Sequence, residues 1–445
     1  MAEDREIETP LLRPSEIQRV IEDEIVPSSS SQSLEANADL SSSSSTVPLK
    51  NRRLVSLDVF RGLTIALMIL VDDAGGAFPL INHSPWFGVT IADFVMPFFL
   101  FIVGVSIGLV FKKVQSKSTA TKKVILRAIK LFLLGIFLQG GFFHGRKTLT
   151  FGVDVEKIRW FGVLQRISVG YLLASISEIW LVRDLQVDSH LAFLRRYCIQ
   201  WMITVLLCII YICLLYGLKV PSWDFALHEA DSALFSSSAQ TECSINSPDY
   251  GPLPPNAPGW CLAPFDPEGV LSSLMAAATC FVGLHFGQII AHFQDHIQRM
   301  FLWSVSAVPL LFTGYVLMAL GMPLSKPLYT ISYMCLTAGA SGLIFAITFY
   351  VVDVKQVRKP VVLLQWMGMN ALIIYALAAC EIFSGVLQGF YLGSPENNLV
   401  DGTESFLQDV LHSKHWGTLA FVLLEILFWG FIAGLLHMKR IYVKL

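Results

Sequence analysis

His83 stands in the stretch Ile81-Asn82-His83-Ser84-Pro85-Trp86, inside a segment, 72–88, that holds Asp72 and Asp73 but neither Lys nor Arg. An imidazole near carboxylates can take a proton from an attacking group around neutral pH, or carry an acyl group itself. The same residues also fit an exposed loop histidine with no chemical role. His412 and His415 precede the last apolar run and are further candidates to approach His83. Arg61 follows Asp58 by one helical turn, so the two can share a face and pair. Arg61, Gln165 and Arg166 offer guanidinium and amide groups of the kind that hold an anionic ligand such as a phosphate. No P-loop, no GxGxxG after a strand and no HExxH is present. His292 and His296 are one turn apart but lie in a short connection, and no metal site is expected.

The elements that must position these residues are set by composition. Hydrophobic residues make up 54% of the chain and charged ones only 15%, well below the share in a water-soluble domain. The deficit means that much of the surface meets lipid. A net charge of −2 gives no reason to expect a nucleic-acid partner. Apolar runs recur at 54–71, 89–111, 124–143, 159–182, 197–217, 269–290, 300–320, 327–352, 361–383 and 416–437. Most approach the ~20 residues that cross a bilayer. The expected fold is therefore all-α, a polytopic transmembrane bundle of about ten helices. Residues 1–50 are Ser-rich and poor in apolar groups, and are expected to be a disordered tail ahead of a membrane domain over 51–445.

Orientation follows from Lys and Arg, which favour the cytosolic side. They gather around 50–53, 112–123, 183–196, 355–359 and 439–444, and are sparser in the alternate connections. Both termini are then cytosolic, and His83 lies on the opposite side. Two long loops, about 218–268 and 384–415, share His83's side. Cys243 and Cys261 sit together in the first of them and would be bridged in an oxidising compartment.

Ionisable groups inside spans each cost on the order of 3 kcal/mol on insertion scales and need a reason. Asp58, Arg61, Asp93, Arg166, Glu178, His285, Glu381 and Glu425, with the polar Gln165 and Asn370, form such a set. Mutual structural pairing accounts for any one of them. Together they suggest a polar interior running from one face to the other.

The stretch Leu57-Asp58-Val59-Phe60-Arg61-Gly62 resembles the opening motif of the heparan-alpha-glucosaminide N-acetyltransferase family. The resemblance continues through Gly75-Gly76, His83, Trp86, Gly88, Asp93 and Pro97-Phe98-Phe99-Leu100-Phe101-Ile102-Val103-Gly104. It extends to Val163-Leu164-Gln165-Arg166-Ile167, Asp266-Pro267-Glu268-Gly269, Gly368-Met369-Asn370-Ala371-Leu372 and the basic-aromatic end from Lys439 to Leu445. It implies a transmembrane acetyltransferase that draws on cytosolic acetyl-CoA as cosubstrate, uses no metal, and acetylates a glycan amine in the lumen of a lysosome or vacuole. His83 matches the family's active-site histidine, and His415 a second functional histidine. Asp72 stands where the family carries Asn. Membrane lipid and a second copy of the chain, as a homodimer, are the other implied partners. In place of the lumenal N-terminal domain and extra span of animal members, a Ser-rich cytosolic tail is expected ahead of the first span. On the residues alone a second reading stands beside this one: a proton-coupled solute transporter, since intramembrane carboxylates and histidines also mark ion paths.

Overall fold

Each apolar run is helical over most of its described residues in the computed structural model. It describes residues 54–78, 80–84, 87–111, 116–139, 160–182, 190–217, 269–379, 382–394 and 397–442. The N-terminal tail, the Cys243 and Cys261 pair, the loop at 218–268 and Glu381 lie outside them. The helices are α1 Val55–Ala74, α2 Val95–Val110, α3 Lys117–Gln139, α4 Val163–Trp180, α5 His190–Gly217, α6 Val270–His292 and α7 His296–Ala319. They continue with α8 Ile331–Phe349, α9 Val362–Met369, α10 Ala371–Ile374, α11 Ile382–Gln388, α12 Leu399–Val410 and α13 Lys414–Met438. A 3₁₀ turn, Ile91–Phe94, leads into α2. Among the described residues no strand occurs beyond the single bridge Tyr391 to Asn398.

Six of these helices are long and apolar enough to cross a membrane, or seven if the bent pair α9 and α10 counts as one span. The chain is thus an all-α, multi-pass membrane bundle. The expected total of about ten also counted α1, α3 and α4. These carry Asp58, Arg61, Asp72 and Asp73; five Lys and Arg; and Gln165, Arg166 and Glu178, respectively. Such groups lower their hydropathy without preventing helix formation. The segment 384–415, expected as loop, is largely helical. Asn398 caps α12 by accepting from the Asp401 amide at 2.9 Å, and Glu404 and Gln408 bond Thr418 of α13.

Burial separates centre from rim. In α6, 89% of the spanning window is buried, against 17% for α5 and for α7, whose exposed Leu206, Ile209, Phe301 and Phe312 suit lipid contact. α6 packs on α2 along a seam of small residues. A Cβ on Gly104 would strike the Cys280 carbonyl, and one on Gly283 the Phe101 carbonyl. With little hydrophobic drive between helices in lipid, such close backbone approach supplies the packing. The pairing of Phe101 with Gly283 and of Val105 with Gly287 makes α2 and α6 run parallel. Phe101, Phe286, Trp303, Phe345 and Phe349 fill the centre with ring centroids 4.9–5.2 Å apart in the tightest pairs.

Gly283→Val is expected to destabilise the bundle by about 1–3 kcal/mol or more, as overpacking against backbone does. The same change at Gly217, which has nothing within 4 Å of an added Cβ, serves as control. Thermal unfolding in detergent should drop for the first and hold for the second.

Candidate active site

α1 closes at Gly75, whose amide bonds the Val71 carbonyl at 2.9 Å. Asp72 and Asp73 therefore occupy the last turn of that helix, both exposed, rather than the loop beyond it. The chain then turns at Phe78, and the His83 amide donates to Asn82 Oδ1 at 2.8 Å. Gly88 adopts a left-handed φ of 104° and its amide bonds the Leu324 carbonyl at 2.9 Å, tying this connection to the one between α7 and α8.

Asp93 is the hub. Its side chain is fully buried, and the 3₁₀ turn starts with a reciprocal cap between Thr90 and Asp93. Oδ2 accepts from the Thr90 amide at 3.0 Å, the Thr90 hydroxyl at 3.1 Å and the Ser84 amide at 3.4 Å. Oδ1 faces His83 Nδ1 at 2.9 Å. The Tyr333 hydroxyl donates to the Asp93 carbonyl. Lys326 Nζ also comes within 3.2 Å of His83 Nδ1, from the turn that precedes α8. That nitrogen can donate to the carboxylate or accept from the ammonium, and the carboxylate contact is the shorter. The His83 ring keeps 20% of its side-chain surface exposed. Donation to Asp93 leaves Nε2 as the nitrogen with a lone pair.

His415 lies on the first turn of α13, exposed, with its ring 5.9 Å from Phe78 in the same connection that carries His83. The fold thus brings His415 to this end of the bundle through Phe78.

Arg61 sits elsewhere. Its guanidinium donates to Asp58 Oδ1 at 3.4 Å, to Ser106 Oγ at 3.1 Å and to the Gly368 carbonyl at 3.5 Å, joining α1, α2 and α9. Ser106 and Asp93 are separated along α2 by ~20 Å at the helical rise per residue. Arg166 is at the other end. It donates to Gly162 O at 3.4 Å and to Ser272 Oγ at 2.8 Å, and Ser272 opens α6 at the level where the 3₁₀ turn opens α2. Nearby, the Tyr329 hydroxyl pairs with Thr279 at 2.9 Å. Gln165 is fully buried against Gly135, with neither amide atom bonded among the described residues. Arg61, Gln165 and Arg166, grouped on the sequence as one anion-binding set, are therefore divided between the two ends.

On the sequence Asp93 stands as a charge inside a span and as a position of the family resemblance, with no link to His83, and Lys326 has no assigned role. Gln200 and Gln288 likewise have none there, yet their amides both meet the Glu178 carboxylate at 2.8 Å on the Arg61 half. A lone carboxylate in a span was the available signal, because its donors must come from neighbouring helices.

The sequence matches the family profile described as "Heparan-alpha-glucosaminide N-acetyltransferase, catalytic" over residues 53–226. It is 25% identical to heparan-alpha-glucosaminide N-acetyltransferase of Mus musculus over 413 residues, covering 85% of this chain and 60% of that protein. It is 24% identical to the Homo sapiens protein of the same name over 406 residues, covering 83% of this chain and 58% of that one. The chain therefore spans a little under two thirds of the length of these relatives. Residues 53–226 thus resemble the catalytic part of the heparan-alpha-glucosaminide N-acetyltransferase family, and most of the chain is similar to these two relatives.

Proposed function

We propose that the chain is a transmembrane acetyltransferase. It takes an acetyl group from acetyl-CoA at the Arg61 end and delivers it to the amine of an amino sugar or related glycan at the His83 end. The Arg61 end is cytosolic with both termini, the His83 end is lumenal, and the membrane is lysosomal or vacuolar. One observation carries the reading. A carboxylate-held histidine at one end and a partly open arginine at the other stand ~20 Å apart along α2. A donor whose phosphates and acyl group are joined by a long arm suits that separation.

The residues divide the work accordingly. Arg61, held planar between Ser106 and the Gly368 carbonyl, keeps 27% of its side chain exposed for the donor's phosphates. At the other end Asp93 fixes the proton on His83 Nδ1, so Nε2 is the reacting nitrogen. Nε2 can remove the proton from the acceptor amine as that nitrogen attacks the thioester carbonyl. The C–S bond then breaks and the thiolate leaves to be protonated. Alternatively Nε2 attacks first, and the acetyl-imidazole is cleaved by the amine. Asp93 serves both routes alike, since each needs Nε2 unprotonated. Asp72 and His415, at the same end, are placed to meet the acceptor.

Purified protein with labelled acetyl-CoA and a panel of glucosamine-terminated acceptors tests the reading. His83→Ala should lower transfer by at least about 100-fold, the usual scale for losing an acid–base group. Equal transfer by both proteins would remove His83 from the chemistry, and solute flux in vesicles without any transfer would favour the transporter. Label retained on protein without acceptor would select the acetyl-histidine route.

Asp93→Asn should reduce kcat by about 100-fold or more with little change in either KM, because the wrong tautomer is then favoured. Arg61→Lys keeps the charge that buried Asp58 needs but loses the planar fork. It should raise the KM for acetyl-CoA by about ten-fold, roughly 1.4 kcal/mol, and leave the acceptor KM unchanged. A rise in the acceptor KM alone would place the anion site elsewhere.

A further inference from the structure

Most polar groups inside the bundle satisfy one another. Glu178 is met by Gln200 and Gln288, Thr279 by Tyr329, and His285 Nε2 by Ser306. Asn370, like Gln165 at the other end, is different. It is 1% exposed, and neither Oδ1 nor Nδ2 has a hydrogen-bond partner among the described residues. A buried carboxamide left unpaired on both atoms costs stability and calls for an explanation. Its position supplies one. Asn370 sits at the 75° break between α9 and α10, two residues beyond Gly368, whose carbonyl accepts from Arg61. Ile65, Met367 and Ile374 belong to one apolar cluster around that break. One free carbonyl and one free amino group, set among apolar side chains, are complementary to the N–H and C=O of a secondary amide on an otherwise apolar chain.

We propose that Asn370 binds an amide of the donor's pantetheine arm as it passes from the Arg61 end toward His83. The inference rests on coenzyme A thioester being the donor, as proposed above. Asn370 is then a binding residue for the arm, separate from the phosphate contact of Arg61 and from the chemistry at His83. It also accounts for a polar side chain at the break where an apolar one would pack without penalty.

The test is equilibrium binding to the full-length protein in detergent, with coenzyme A and with adenosine 3′,5′-bisphosphate, which carries phosphates but no arm. Leu is close to Asn in shape and has no hydrogen-bonding atom. Asn370→Leu should weaken coenzyme A about ten-fold, the scale of one well-buried hydrogen bond, and leave the bisphosphate unchanged. The ligand-free variant should melt no lower than wild type, because an unpaired buried amide has been removed. Unchanged coenzyme A affinity, equal weakening of both ligands, or a lower melting temperature without ligand would each overturn the proposal. Absence of coenzyme A binding by the wild type would instead overturn the donor reading on which it rests. Wild-type binding with Asn370→Leu unaffected would remove only the role of Asn370.

Discussion

A carboxylate wholly buried in an apolar bundle persists only if its oxygens are met by donors, and at Asp93 that requirement organises one end of the molecule. The donors are the Thr90 amide and hydroxyl, the Ser84 amide and the His83 ring. All come from a stretch of irregular backbone whose Phe87 and Val89 also pack against the apolar core. The buried charge holds that stretch in place and, in doing so, fixes the imidazole. Tyr333 reaches the carbonyl of the same residue from α8, and the Gly88 amide bonds Leu324, so two connections distant in sequence become one rigid mouth. Lys326 stands beside His83 because of those ties.

The glycine seam between α2 and α6 sets what lies below the mouth. Because Gly104 and Gly283 let the two backbones approach, the helices stay parallel and in register from the 3₁₀ turn down to Ser106 and Gln288. Residues on either helix can then be placed by level. Ser272 and its partner Arg166 belong to the mouth, while Ser106 with Arg61, and Gln288 with Glu178, belong to the other half. Between them the Phe101, Phe286, Trp303 and Phe345 rings leave an apolar belt.

What could be read in the sequence follows the same physics. The apolar runs marked the helices because lipid imposes length and composition on each span separately. The Asp58 and Arg61 pair was legible because it is local to one helical turn. His83 stood out as an imidazole near carboxylates, yet the carboxylate at its Nδ1 is Asp93, across a loop whose path no periodicity describes. Asp72, the candidate in His83's own segment, sits on a helical turn with its side chain exposed. Lys326 lies 243 positions from His83, and no local pattern joins them. Arg166 was grouped with Arg61 by residue type. Its level depends on the contact with Ser272, which only the packing of α4 on α6 reveals.

The break between α9 and α10 and the guanidinium of Arg61 explain one another. A helix that ends inside an apolar bundle leaves its last carbonyls without intrahelical partners, and lipid offers none. The Asn370 amide takes the Met367 carbonyl, and Arg61 takes that of Gly368, across a contact so close that a Cβ on Gly368 would strike the Asp58 carbonyl. Arg61 in turn needs acceptors to remain charged at that depth, and Asp58 alone offers it one oxygen at 3.4 Å. The broken helix supplies a second acceptor and Ser106 a third. A cation held by three elements, each giving up one acceptor, keeps a fixed position and still has surface left over. The bend thus supplies one of the acceptors that hold a charge beside the bundle's interior.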